Sequence, residues 1–186
     1  MSTPSTRFAA ASAQFTALLT AVPADGWGAP SACEGWSVQE VVQHVVTTEA
    51  DFLAQRVQPV DGLSIAADAS PMDAWPAVRA AMQAALDDAA VASTAFDGYF
   101  GPTTVEAVID RFYTMDLIVH RWDIASVLGL SDHATLTADE VASVRSALVG
   151  LEAAMRSPGL FGPELPAAED ADEQTRLLAY IGRAAG

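Results

Sequence analysis

Apolar residues recur along most of the chain at intervals of three and four, the spacing that lines one face of an α-helix. Phe8, Phe15, Leu18, Leu19 and Val22 mark a first helix over about Thr6 to Val22, closed by Pro23 and Gly26. The stretch from Trp27 to Gly35 is rich in turn formers and reads as an ordered loop. A sharp helix start follows it. Ser37 is placed to accept from the backbone of Glu40 while Glu40 reaches back, and Trp36 is placed to pack on Val41 across the cap. This second helix is expected to run to about Arg56. A Gly-, Pro- and Asp-rich loop follows from Pro59 to Pro71. Trp75, Val78, Met82, Ala85 and Leu86 then predict a third helix ending near Ala92, and Asp97 to Pro102 a turn. Val105, Val108, Ile109, Phe112, Leu117, Val119, Ile124 and Val127 predict a fourth helix from about Thr104 to Leu128, ended by Gly129.

Four such segments, each long enough to cross a small domain, are what a four-helix bundle requires, and no strand-like alternation competes with them. The helical pattern resumes from about Thr137 to Arg156, with Asp139 and Glu140 in the first turn where the helix dipole favours them. A proline-punctuated stretch from Ser157 to Pro166 and a short last helix over Glu173 to Gly182 complete the chain. The expected fold is therefore all-α: a four-helix bundle over residues 1–130, with a short helical C-terminal extension, residues 131–186, packed on it. No internal repeat is visible.

Composition sharpens this picture. Hydrophobic residues make up 51% of the 186, much of that alanine, the best helix former. The formal net charge is −15, from 24 acidic residues against 9 basic ones, every one of them arginine. A chain of that sign repels phosphate backbones, so nucleic acid and anionic membrane are excluded as expected partners. No apolar run reaches the roughly 18 to 20 residues of a membrane span, and Met1 to Ala9 lacks the basic-then-apolar pattern of a leader, so a cytoplasmic location is expected. Cys33 is the only cysteine and forms no internal disulfide.

Two of the three histidines fall inside predicted helices. His44 lies among Val41, Val42, Val45 and Val46, at or near the apolar face of the second helix. Asp116 and His120 are four residues apart on the fourth, one above the other, on the stripe that also carries Ile109, Phe112, Val119 and Asp123. A carboxylate thus stands where apolar residues belong, and burying it ionised without a partner costs several kcal/mol. A carboxylate and an imidazole at this spacing, with an imidazole from a facing helix, make three ligands for one divalent metal and leave positions open for water or substrate. The donor set suits zinc and is compatible with nickel, iron(II) or manganese. The same residues can also be read as an ordinary hydrogen-bonded Asp–His pair on a half-exposed face, with His44 a core histidine bonded to a backbone carbonyl.

The segment Pro30-Ser-Ala-Cys-Glu-Gly-Trp-Ser-Val-Gln-Glu-Val-Val-Gln-His44 resembles the first motif of the mycothiol-dependent maleylpyruvate isomerase N-terminal family, within the DinB-like superfamily. Asp116-Leu-Ile-Val-His-Arg-Trp-Asp-Ile-Ala125 is similar to that family's second motif, with Asp116 where the isomerase pattern has Glu, and Gly159-Leu-Phe-Gly-Pro resembles the closing motif of a shorter actinobacterial subgroup. The resemblance implies a DinB-like four-helix bundle with one divalent metal, usually zinc, on His44, Asp116 and His120. It also implies a thiol cofactor such as mycothiol, activated by the metal for isomerisation or transfer to an electrophilic substrate. The alternative is a non-catalytic metal-binding sensor or interaction module. Monomer and homodimer remain equally open.

Other residues carry weaker signals. Cys33 either approaches the metal or packs its loop. Asp123 either holds a ligating imidazole or bonds Arg121 or solvent. Trp36 and Trp122 are expected to be structural. Arg111 and Arg121 either receive a substrate carboxylate or lie as solvated surface charges. His133 is expected in an exposed loop.

Overall fold

The computed structural model describes residues 3–57, 70–151, 154, 156 and 161–184. They form two compact units, Met1–Ala134 and Thr135–Gly186.

In the first unit α1 (Pro4–Ala21) opens on a capping box between Thr3 and Thr6. α2 (Val38–Arg56) opens on the expected one: Ser37 Oγ accepts from the Glu40 amide at 3.3 Å, and the Glu40 carboxylate accepts from the Ser37 amide at 2.7 Å. The loop before α2 is ordered by its own backbone, with Val38 donating to the Ala29 carbonyl at 2.9 Å and Ser31 to that of Trp36 at 2.8 Å. Gly35 makes its turn at φ +81°, a left-handed conformation that side chains with a Cβ resist.

α3 (Pro71–Asp87) is shorter than expected. Asp88 leaves the helix at ψ 106°, and its carboxylate accepts from the amides of Ala90 and Val91 to start a separate turn, α4 (Ala89–Ala92). The expected turn at Asp97 to Pro102 is the tip of an antiparallel hairpin, β1 (Ala95–Gly98) with β2 (Gly101–Thr104), Ala95 facing Thr104 and Gly98 facing Gly101. Strands of four residues are too short for alternation to be read from sequence. The fourth helix is composite: α5 (Val105–Val108), a π-helical turn (Ile109–Tyr113) and α6 (Thr114–Val127). Gly129, at φ +67°, ends it, and the Leu130 amide donates back to the Ala125 carbonyl at 3.0 Å.

α1 packs on α6 and α3, and α2 packs on α3 and α6. Phe8, Phe15, Leu18, Leu53, Trp75, Met82, Ile109, Leu117 and Ile124 fill the interior, all but fully buried. The fold is largely all-α, a DinB-like helical bundle with one small hairpin. His133 lies in a short helical turn, α7 (Ser131–Ala134), and is half-buried rather than exposed in a loop.

In the second unit α8 (Ala138–Leu148) begins with a Thr137–Glu140 capping box and stops well before Arg156, because the chain leaves the helix at Val149 with ψ 125°. α9 (Glu173–Tyr180) packs against α8, and Gln174 Oε1 accepts from the Leu136 amide at 2.8 Å. The predicted loop at Pro59 to Pro71 lies almost wholly outside the described residues, as does the start of the Gly159 motif. No helix among the described residues is long and apolar enough to cross a membrane.

Candidate metal centre

His44 sits on α2 beside the buried Val41, Val45 and Val46, yet 31% of its side chain is exposed, which puts it at the rim of the bundle core. Asp116 and His120 lie on α6 just after the π-helical turn. There the amide and the hydroxyl of the buried Thr114 both donate to the Ile109 carbonyl five residues back, the hydroxyl at 3.1 Å. Arg7 of α1 holds this turn through Asp110, its Nε donating to Oδ1 at 2.8 Å. Wider turns of this kind are rare and concentrate at functional sites, because they re-aim the side chains around them.

The three side chains predicted from sequence converge. His44 Nε2 lies 3.3 Å from Asp116 Oδ2, and His120 Nε2 lies 3.8 Å from Asp116 Oδ1. The two imidazoles meet edge to face at 5.3 Å between centroids, and one donor atom from each residue falls within 4.8 Å of the others. Ligands about 2.1 Å from a tetrahedral ion stand roughly 3.4 Å apart, so this donor set can close on a divalent ion with little movement. Its edge is open: Asp116, like His44, is 31% exposed at the side chain, whereas His120 is 9% exposed.

His120 is held from behind. Its Nδ1 donates to Asp123 Oδ2 at 3.0 Å, and the Cys33 thiol donates to the same oxygen at 3.0 Å, with Sγ 3.7 Å from Nδ1. The loop is tied to α6 by backbone as well, Ala32 donating to the Asp123 carbonyl at 3.2 Å. Asp123 is fully buried. Cys33, His120 and Asp123 also lie within metal-binding reach of one another, but the contacts to Asp123 are hydrogen-bond lengths, and bonding at Nδ1 leaves Nε2 facing Asp116. Burial works against charge on His120, but the Asp116 carboxylate and the bonds to Asp123 and Cys33 outweigh it and hold the imidazolium well above the ordinary histidine range. Burial likewise raises the Asp116 carboxyl, but His120 and His44 outweigh it and leave the group below the usual range.

Two ionisable groups coupled to Asp116 escaped the sequence reading. Glu49, on α2, is 1% exposed, and neither carboxylate oxygen has a hydrogen-bond partner; burial, then the Asp116 charge, pushes its carboxyl well up. Tyr113 closes the π-helical turn, and burial followed by the charges of Asp116, Glu49 and Asp51 raises its phenol. Glu49 carried a legible signal, since it continues the Val41, Val42, Val45, Val46 stripe by three and four residues. Tyr113 carried none, because a π turn leaves no recognisable pattern in sequence.

A cleft of about 560 Å³ runs between α2, the hairpin and the π-helical turn, and Thr48, Phe52, Arg56, Phe100, Arg111 and Tyr113 are among its walls. Thr48 stands one turn beyond His44 and bonds its carbonyl at 2.9 Å, and Tyr113 stands three residues before Asp116. Arg111 therefore lines a cavity, with its guanidinium over the Phe112 ring, whereas Arg121 is 3% exposed and is neither a surface charge nor a cleft residue. Trp122 is a buried wall. Trp36 has its indole 5.0 Å from the His44 ring, which gives it a place beside the site in addition to its place at the cap.

Residues 8–125 match the family model of the mycothiol maleylpyruvate isomerase N-terminal domain. Two uncharacterized proteins, from two strains of Mycobacterium tuberculosis, are each 29% identical to the chain over 175 residues, covering 91% of it and 91% of their own length. No solved structure matches the chain.

Proposed function

The chain belongs to the mycothiol maleylpyruvate isomerase N-terminal domain family, and we propose that it binds one divalent metal ion through His44, Asp116 and His120 and activates a small thiol there. Zinc is the ion that best suits two imidazoles and a carboxylate. A bound metal would hold a coordinated thiol as its thiolate, the nucleophile needed for isomerisation of, or transfer to, an electrophile.

The observation that carries this reading is the partial exposure of His44 and Asp116 at the edge of the donor set, beside a cleft large enough for a small molecule. A structural metal site is closed by a fourth protein ligand, while a catalytic one keeps a position open. Around the ion, the protein's own groups have distinct tasks. Asp123, with Cys33 behind it, holds His120 in the orientation that offers Nε2. Trp36 backs the His44 ring, and the walls of the cleft, aromatic and arginine side chains, are suited to a substrate with an apolar body and an anionic group. The strongly acidic chain and its single cysteine suit a small-molecule partner in the cytoplasm.

Cobalt-substituted protein titrated with mycothiol tests the proposal. A new sulfur-to-metal charge-transfer band, absent from the His120→Ala variant, is the expected result. A cobalt spectrum that thiol leaves unchanged would remove the thiol-activating function.

A further inference from the structure

The cleft between α2, the hairpin and the π-helical turn is walled by rings. Phe52, Phe96, Phe100, Phe112 and Tyr113 all line it. Phe52 lies 5.0 Å from Tyr113 and 6.3 Å from Phe96 between ring centroids, and Phe100 stacks on Phe112 at 5.8 Å with 20° between the planes. Phe100 is nonetheless 53% exposed. A stack that leaves one member more than half open to water has apolar surface for a further flat ring to cover, at the offset spacing that aromatic pairs prefer. The cleft volume of about 560 Å³ falls in the range of small-molecule sites.

The charge at this wall is of the chain's minority sign. Acidic residues number 24 against 9 basic ones, and Arg7, Arg145 and Arg176 stand against carboxylates. Arg56 does not. Among the described residues it makes no ion pair, and its guanidinium carbon lies 4.6 Å from the centroid of the Phe96 ring. A ring takes the face of a guanidinium and leaves the N–H edge, whose fork matches a carboxylate, open in the plane. Arg111 lines the same cleft with its guanidinium carbon 5.5 Å over Phe112, which adds positive potential there. Asp51, the acidic residue at the wall, is exposed, so solvent screens it. We propose that the cleft binds an aromatic carboxylic acid, with its ring laid on the phenylalanine wall beside Phe100 and its carboxylate on the open edge of Arg56. Binding itself needs no metal; only the ligand's place as the electrophile rests on the thiol-activating reading above.

The test is calorimetric titration of the full chain, kept metal-free with chelator, with three probes: 2-naphthoate, its uncharged counterpart 2-naphthalenemethanol, and the flexible acid octanoate. Wild type is expected to bind 2-naphthoate at one site and about tenfold or more tighter than either other probe, the margin of a charge-assisted hydrogen-bonded pair. Arg56→Gln is expected to lose about that factor for 2-naphthoate and to keep its affinity for the alcohol, whereas Phe100→Ala is expected to weaken both. Both side chains are exposed, and unchanged circular dichroism is expected of each variant. Equal binding of the acid and the alcohol, an Arg56→Gln protein with undiminished affinity for 2-naphthoate, or tighter binding of octanoate would overturn the proposal. Zinc uptake, measured separately, keeps the two readings apart: 2-naphthoate binding by a protein that takes up no zinc would uphold this site and remove the metal, and zinc uptake without 2-naphthoate binding would do the reverse.

Discussion

At the scale of single residues, the centre is a set of charges that need one another. Asp123 is fully buried and holds His120 Nδ1 at 3.0 Å, so it would act on a bound metal only through that imidazole. Removing such a supporting group weakens metal binding by about 10- to 100-fold. Asp123→Asn is therefore expected to lose affinity in that range in a zinc competition assay, whereas Cys33→Ser is expected to keep near wild-type affinity. Loss of metal on Cys33→Ser would instead move the ion to the Cys33, His120, Asp123 cluster. Glu49 adds a pH dependence. Its carboxyl is raised on folding by burial, so the folded metal-free protein holds the proton where the unfolded chain has lost it. Stability from this group is full below the ordinary glutamate range and is lost as pH rises toward the folded value, by at most about 1.4 kcal/mol per pH unit. Metal-free Glu49→Gln is accordingly expected to be more stable than wild type at pH 7, with the difference shrinking toward pH 4 in urea unfolding. A constant difference across that range would contradict a neutral Glu49.

At the scale of elements, the start of α2 joins the loop of the first motif to the helix that carries His44. The Ser37–Glu40 box satisfies helix-end amides, and Ser37 also pairs with Pro30 across the loop. Ser37→Ala is expected to cost about 1 kcal/mol in chemical denaturation. An unchanged midpoint would show that the backbone bonds of the loop suffice. This cap was legible in sequence because its chemistry is local, and the convergence of His44, Asp116 and His120 was legible because a carboxylate and two imidazoles interrupt apolar helical stripes. Glu49 interrupts the same stripe and was as readable by the same rule. The π-helical turn was not, since it replaces one helical hydrogen-bond pattern with another, and the break at Asp88 was not, since a new helical turn starts directly after that one extended residue. The hairpin was hidden by its brevity, and the position of Arg121 by burial around the whole of α6, where every residue from Leu117 to Ala125 is buried.

At the scale of the whole molecule, one bundle supplies the parts of the candidate site: α2 and α6 bring the candidate ligands, the loop before α2 supports them, and the hairpin and π-helical turn build the cleft beside them. The match to the isomerase N-terminal domain spans these elements, and the M. tuberculosis relatives align over nearly their full length. A chain of net charge −15 that gathers Asp116 and Asp123 around two imidazoles has a ready use for a cation at that point. The most direct measurement is the metal content of the purified protein by inductively coupled plasma mass spectrometry, beside the His120→Ala variant. The account predicts close to one equivalent of a divalent transition metal in the wild type, lost in the variant. A wild type that carries none after incubation with zinc, or a His120→Ala protein that retains its full content, would contradict it.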